Sequence, residues 1–169
     1  MNTVIYSDPV FYDKKVQELN TALEALTWLQ NQYPICRVGE VDEGTFPEVY
    51  YNSGSVKNLK VMPQGRAVSF FTVNGDISET EEDPYYLVPL SIFVWADLTK
   101  IYPQKKYDYT GELIKDVIGI LNDNSCTDKV IVTDNVFVGF TMLEKVLKQN
   151  VMRPYTSFRI NFQTLITKC

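Results

Sequence analysis

The segment from Asp76 to Pro84 carries the most concentrated charge in the chain, with five acidic residues and no basic one. It follows Asn74-Gly75, a dipeptide that favours a tight β-hairpin turn. The acids lack the glycine-punctuated pattern of a calcium loop, so the sequence does not predict a metal site there. Glu81 and Glu82 are predicted to lie in an exposed loop, where desolvation would not shift the pKa of either carboxyl strongly. Three interpretations stay open: a solvated hairpin tip, an arm that reaches a neighbouring subunit, or an acidic surface that lines a pore.

If the hairpin contacts a neighbouring subunit, its carboxylates need cationic partners. Lys105 and Lys106 form a small basic cluster after Pro103, and Arg153 precedes the last predicted strand. Arg159 is predicted on the polar side of that strand. The candidate residues for a subunit interface or a channel lining are therefore Asp76, Glu79, Glu81, Glu82, Asp83, Lys105, Lys106, Arg153 and Arg159.

Catalytic and cofactor-binding motifs are not recognised in the sequence. Histidine, the commonest general base and metal ligand, does not occur. Cys36, Cys126 and Cys169 share no metal-type spacing, and no glycine-rich phosphate loop is found. We therefore expect no catalytic residue, cofactor or metal, and a protein that is not an enzyme. A small enzyme or a regulatory binding protein with an unrecognised pocket remains the alternative.

The composition is that of a globular protein of one domain, spanning residues 1–169. The net charge is −5 and the sequence pI is about 4.8, which disfavours tight binding of nucleic acid through a basic surface. No run approaches the length of a membrane span, and the first twenty residues contain no apolar core long enough for a secretory signal.

The stretch from Tyr85 to Leu98 is the most apolar run and is predicted to be a long central strand. Both of its alternating sets are apolar apart from Ser91, as in a strand that is buried on both faces. Pro89 lacks an N–H, so it predicts a bulge or an unpaired position on one side.

Helical spacing predicts helices near 8–33, 108–122 and 139–150, the first capped by Asp8 and ended by Tyr33-Pro34. Shorter strands are predicted over 35–41, 46–51, 66–73 and 129–133. The last strand, 154–166, alternates apolar and polar residues and is predicted to be half-buried. The fold class is therefore α+β: a mainly antiparallel sheet flanked by two or three helices in a single domain.

The C-terminal run MRPYTSFRINFQTLI, residues 152–166, is similar to the ending common among tail-terminator and neck proteins of tailed bacteriophages. Leu26-Thr27-Trp28-Leu29, Pro34 and the Tyr85–Leu98 strand followed by a helix fit that family in position. The element order, from a long N-terminal helix to a closing strand, also resembles it.

The resemblance implies a tail-terminator-like fold and a structural virion protein in the neck or tail, assembled in the host cytoplasm. It implies a homo-oligomeric ring of roughly six or twelve copies between portal, neck or tail proteins. DNA would pass through the lumen without specific binding. The acidic segment and its long lead-in depart from the family pattern, which leaves open the layer of the neck or tail to which the ring belongs.

Overall fold

The computed structural model describes residues 2–50, 54–59, 65–80, 84–141 and 154–168. Its elements alternate between short strands, three helices and two long strands. In chain order they are β1 (Asn2–Thr3), α1 (Tyr12–Leu23), β2 (Asn31–Ile35), β3 (Arg37–Val41), β4 (Gly44–Tyr50), β5 (Val56–Asn58), β6 (Ala67–Val73), β7 (Ser78–Glu79), β8 (Tyr85–Asp97), α2 (Leu98–Ile101), α3 (Thr110–Asp123), β9 (Cys126–Val132) and β10 (Tyr155–Thr167).

Seven of the strands form one sheet, and β3, β4 and β5 form a small second sheet. The order in the large sheet is β1-β2-β6-β8-β10-β9, and β7 pairs with β8 beyond the end of β6. The pairs β1–β2 and β2–β6 are parallel, and the others are antiparallel. This confirms the predicted α+β class with a mainly antiparallel sheet.

The predicted central strand is confirmed. β8 has thirteen residues and is paired with β6 on one side and β10 on the other. One face packs under α1 and α3, where Ile92 and Val94 are fully buried. The opposite face forms a second core in which the rings of Phe70 and Phe93 stack with their centroids 4.7 Å apart. Burial on both faces explains why both alternating sets of this strand are apolar.

The first helix is shorter than predicted. It begins at Tyr12, after Phe11, and ends at Leu23, and Asp8 does not cap it. Leu26 and Leu29 lie in two successive turns, in which each N–H bonds to the carbonyl three residues earlier. Leucines three residues apart can therefore face the core from successive turns as well as from a helix. The predicted helix was too long because the two cases have the same spacing.

Pro34 does not end a helix; it lies inside β2. The parallel register between β2 and β6 shifts between Gln32 and Ile35, so the missing N–H of Pro34 falls at an irregularity in the ladder. The predicted strand 35–41 is also two elements, divided at Cys36. The backbone N–H of Cys36 still bonds to Phe71 at 2.8 Å before the chain leaves the large sheet.

The helix predicted near 108–122 is confirmed as α3. Asp108 accepts the N–H of its first residue, Thr110, at 2.9 Å. Trp28 donates from Nε1 to Asp116 Oδ2 at 3.0 Å and so joins α3 to the turns after α1. The helix predicted near 139–150 lies mostly outside the described residues, which resume only at Pro154.

The last strand is confirmed, and it begins and ends one residue later than predicted, at Tyr155 and Thr167. Phe158, Ile160 and Phe162 are buried on one face of β10. Arg159, Asn161 and Gln163 alternate with them on the other face and are partly exposed. The polar side of β10 thus lies on the same sheet face as Phe93, beside the second core.

Candidate functional site

The acidic segment is built differently from the predicted tight hairpin at Asn74-Gly75. The register with β8 shifts by two residues between Val73 and Ser78, so Asn74-Gly75 begins a bulge and the chain does not reverse there. The N–H of Thr80 bonds to the carbonyl oxygen of Tyr85 at 3.1 Å, which places the reversal between these two residues.

The acidic candidates do not form a cluster among the described residues. Asp76 and Glu79 are exposed, and Glu79 Oε2 is 2.8 Å from Lys168 Nζ. Glu79 therefore has a cationic partner in its own chain, which the sequence reading did not anticipate. Glu81, Glu82 and Asp83 lie outside the described residues.

Lys105 belongs to a local network rather than to an unpaired basic cluster. Its ammonium group bonds to Glu112 and lies 4.7 Å from the ring centroid of Tyr102 and 4.9 Å from that of Tyr109. The bond between Lys105 and Glu112 raises the pKa of Lys105 and lowers the pKa of Glu112. Lys106 Nζ donates to the carbonyl oxygen of Pro103 at 3.3 Å. Neither lysine contacts a described acid of the 76–83 segment.

Arg159 lies at a cleft, whereas Arg153 lies outside the described residues. Arg159 is partly buried, and its guanidinium carbon lies 5.6 Å from the ring centroid of Phe93. Its Nε atom is buried and has no hydrogen-bond partner among the described residues. Burial lowers the pKa of Arg159, because the charged form loses hydration without gaining a carboxylate.

The cleft around Arg159 has a volume of about 420 Å³. Phe93 and Phe140 form part of its apolar wall, and Thr72 and Asn74 contribute polar groups from β6 and the bulge after it. Arg37 also lines it, and the Arg37 guanidinium lies 5.1 Å from the ring centroid of Tyr50 on the small sheet. Sequence reasoning missed Arg37, because only the fold brings β3 to the face that carries Arg159.

Apolar side chains are exposed on two separate strand surfaces that sequence reasoning also missed. The first, here called the edge patch, is Val130 and Ile131 on β9, the strand at one edge of the large sheet; they are 57% and 45% exposed and, as consecutive strand residues, flank this edge on its two opposite faces. The second, here called the small-sheet patch, is Tyr50 and Val56, which lie opposite each other on β4 and β5. The small sheet follows directly from β2, which lies near the other edge.

The described residues lack both a metal-ligand cluster and a helix able to span a membrane. They contain no group of three or more cysteine, aspartate or glutamate side chains arranged to hold a metal ion. Among the described helices, none combines the length and the apolar character that a membrane span requires. The site thus has a cation, Arg159, at a cleft with aromatic walls, and Arg37 connects this cleft to Tyr50 of the small-sheet patch.

No family model matches the sequence, and no match is found among curated proteins or among solved structures.

Proposed function

We propose that the protein is a structural virion component that assembles into a homo-oligomeric ring at the head–tail junction of a tailed bacteriophage. As a neck connector or a tail terminator, the ring joins portal and tail and gives DNA a passage. The support for this context is the resemblance of the closing strand and of the element order to that family. The ring itself has a second, independent support in the distribution of exposed apolar side chains.

The observation that carries the ring is the presence of two different apolar strand surfaces. A cyclic ring uses head-to-tail contacts, so each subunit needs two complementary surfaces rather than one self-complementary surface. The edge patch lies on β9, whose outer backbone edge is unpaired in the described sheet. The small-sheet patch lies on the small sheet, which comes directly after β2 in the chain. An exposed edge strand with adjacent apolar side chains is a template for pairing with another chain. We assign these two patches to the two sides of one subunit contact.

The overall charge suits the proposed passage. With a net charge of −5, the chain does not offer the excess of cations that binding to phosphates requires. A ring of such subunits lets DNA pass without retaining it.

The cleft favours a second candidate function, that of a small binding protein or enzyme. Its volume of about 420 Å³ lies within the range of ligand pockets, roughly 300–1,000 Å³. In that case the purified protein binds a small molecule as a monomer, and substitutions in the two patches leave its mass unchanged.

The test is the mass of the purified full-length protein, measured by size-exclusion chromatography with light scattering, and its shape in electron micrographs. We expect closed rings with a mass of roughly six or twelve times the 19.4 kDa protomer. Val130→Glu and Val56→Glu, one substitution in each patch, should each prevent ring formation. Val10→Glu is the matched control, because Val10 is 71% exposed and lies outside both patches.

Two results would contradict the proposal. The first is a protein that stays monomeric at high concentration and is absent from any multi-protein particle. The second is a ring that tolerates both patch substitutions as well as it tolerates Val10→Glu; this result contradicts the assignment of the two patches to the subunit contact, although not the ring itself.

A further inference from the structure

Among the described residues, Arg159 has no ionic partner. Within the described ranges, neither Arg159 nor Arg37 forms an ion pair, although both line the same cleft. A cation that is partly removed from water is unfavourable unless an anion or hydrogen-bond acceptor replaces the lost hydration. The Nε atom of Arg159 is buried without such an acceptor. The cleft is therefore suited to receive an anionic group from outside the chain.

Glu79 of the acidic segment is poorly placed to supply that group. Glu79 pairs with Tyr86 in the sheet, and Arg159 pairs with Phe93. Along β8 these positions are about 23 Å apart, at roughly 3.3 Å per residue. Glu79 is also bonded to Lys168. Its side chain cannot reach the cleft while β7 stays paired.

Asp128 is an exposed carboxylate in the edge strand. It has a φ angle of 49°, and the register between β9 and β10 shifts beside it. A bulge of this kind re-aims a side chain relative to a regular strand, and a left-handed conformation is uncommon for a residue other than glycine. In the described part of the chain Asp128 forms no ion pair. It lies on the same strand as Val130 and Ile131, the residues of the edge patch.

The small-sheet patch adjoins the cleft through Arg37, which lines the cleft and stacks over Tyr50. A neighbouring copy whose edge patch covers the small-sheet patch therefore brings its β9 strand to the mouth of the cleft. We propose that the carboxylate of Asp128 from one copy enters the Arg159 cleft of the next copy. This inference rests on the proposed ring, and it identifies the charged pair that fixes the register of each subunit contact.

The test is a double-mutant cycle on association of the full-length protein, measured by sedimentation over a range of concentrations. Asp128→Asn and Arg159→Gln should each weaken association by about tenfold or more, because each leaves one charge buried without its partner. The double variant should be weakened much less than the product of the two single effects. The pair Asp128→Arg with Arg159→Asp should restore part of the association that each single reversal removes.

Asp123→Asn and Arg66→Gln are the matched controls, because both residues are exposed and lie outside the two patches and the cleft. Circular dichroism establishes that every variant is folded. Rings that are indifferent to Asp128→Asn and Arg159→Gln, or two effects that multiply independently, overturn this inference and leave the proposed ring standing. A chain that is monomeric at every concentration and absent from any multi-protein particle overturns both.

Discussion

The backbone N–H of Asn74 donates to the carbonyl oxygen of Pro89 at 2.9 Å, at the end of the regular pairing between β6 and β8. Pro89 cannot donate on that side, because its nitrogen carries no hydrogen. The backbone forms a bulge at this point. Between Val73 and Ser78 it contains two more residues than the part of β8 that lies opposite. The long central strand therefore continues past its proline, and β7 resumes the pairing beyond it.

Gly75 is expected to be essential to this bulge. Its φ angle is +146°, a region that residues with a side chain rarely adopt, and a Cβ atom would lie 3.4 Å from Pro89 Cγ. Gly75→Ala should lower the free energy of unfolding by about 1–3 kcal/mol through backbone strain. Chemical denaturation measures this value. Gly119→Ala, at an exposed position inside α3 with open space around it, should instead raise stability by about 0.5–1 kcal/mol. Equal effects of the two substitutions would show that Gly75 is not strained.

Ile92 is expected to tolerate no charge. It is fully buried between β6 and β10, under the helices. Ile92→Asp should unfold the domain, because an unpaired buried carboxylate costs several kcal/mol, on the order of the whole stability of a domain. The measurement is thermal denaturation followed by circular dichroism. Val10→Asp, at a residue that is 71% exposed, should change the melting temperature little. A folded Ile92→Asp variant of equal stability would mean that β8 is not central to the core.

The hydrophobic pattern of the sequence correctly predicted the two long strands. The alternation in 154–166 and the apolar run from Tyr85 to Leu98 both follow directly from burial of strand faces, and both strands are observed. The end of α1 was predicted wrongly, because Leu26 and Leu29 face the core from turns with helix-like spacing. The partner of Glu79 was missed as well, because Lys168 is brought near it only by the pairing of β8 with β10.

The candidate site was predictable only in part. The alternation in the last strand predicts a polar face that includes Arg159, and that face is observed. The cleft also requires Phe93 from β8 and Arg37 from β3, and their meeting depends on where the chain leaves the large sheet at Cys36. The sequence contains no local signal for the point at which the chain leaves the large sheet. Arg37 and the two apolar patches therefore could not be predicted from the sequence.

The ion pair of Lys105 and Glu112 is expected to give the protein a defined pH response. The bond to Lys105 lowers the pKa of Glu112, so this pair stabilises the fold above the ordinary pKa of a glutamate. That contribution is lost as the pH falls through the lowered pKa of Glu112. A carboxyl titration by NMR should therefore place the midpoint of Glu112 below the ordinary value for a glutamate. In Lys105→Gln the midpoint should rise toward the ordinary value, and an unchanged midpoint would show that Lys105 does not cause the shift.

The acidic segment is expected to act on DNA rather than on assembly. Glu79 forms an ion pair with Lys168. The predicted partners Lys105 and Lys106 instead bond to Glu112 and to the carbonyl oxygen of Pro103. Replacing Glu79, Glu81 and Glu82 with Gln should therefore leave the sedimentation of the ring unchanged at low and at high salt. Retention of double-stranded DNA should increase, because carboxylates repel phosphates within a Debye length, about 8–10 Å at physiological salt.

Asp8→Asn, Glu18→Gln and Asp123→Asn together make the same change in charge at exposed positions elsewhere and serve as the control. Weaker assembly in the hairpin variant alone, strongest at low salt, would instead place the segment at a subunit contact. If neither assembly nor DNA retention changes, the segment is a solvated turn.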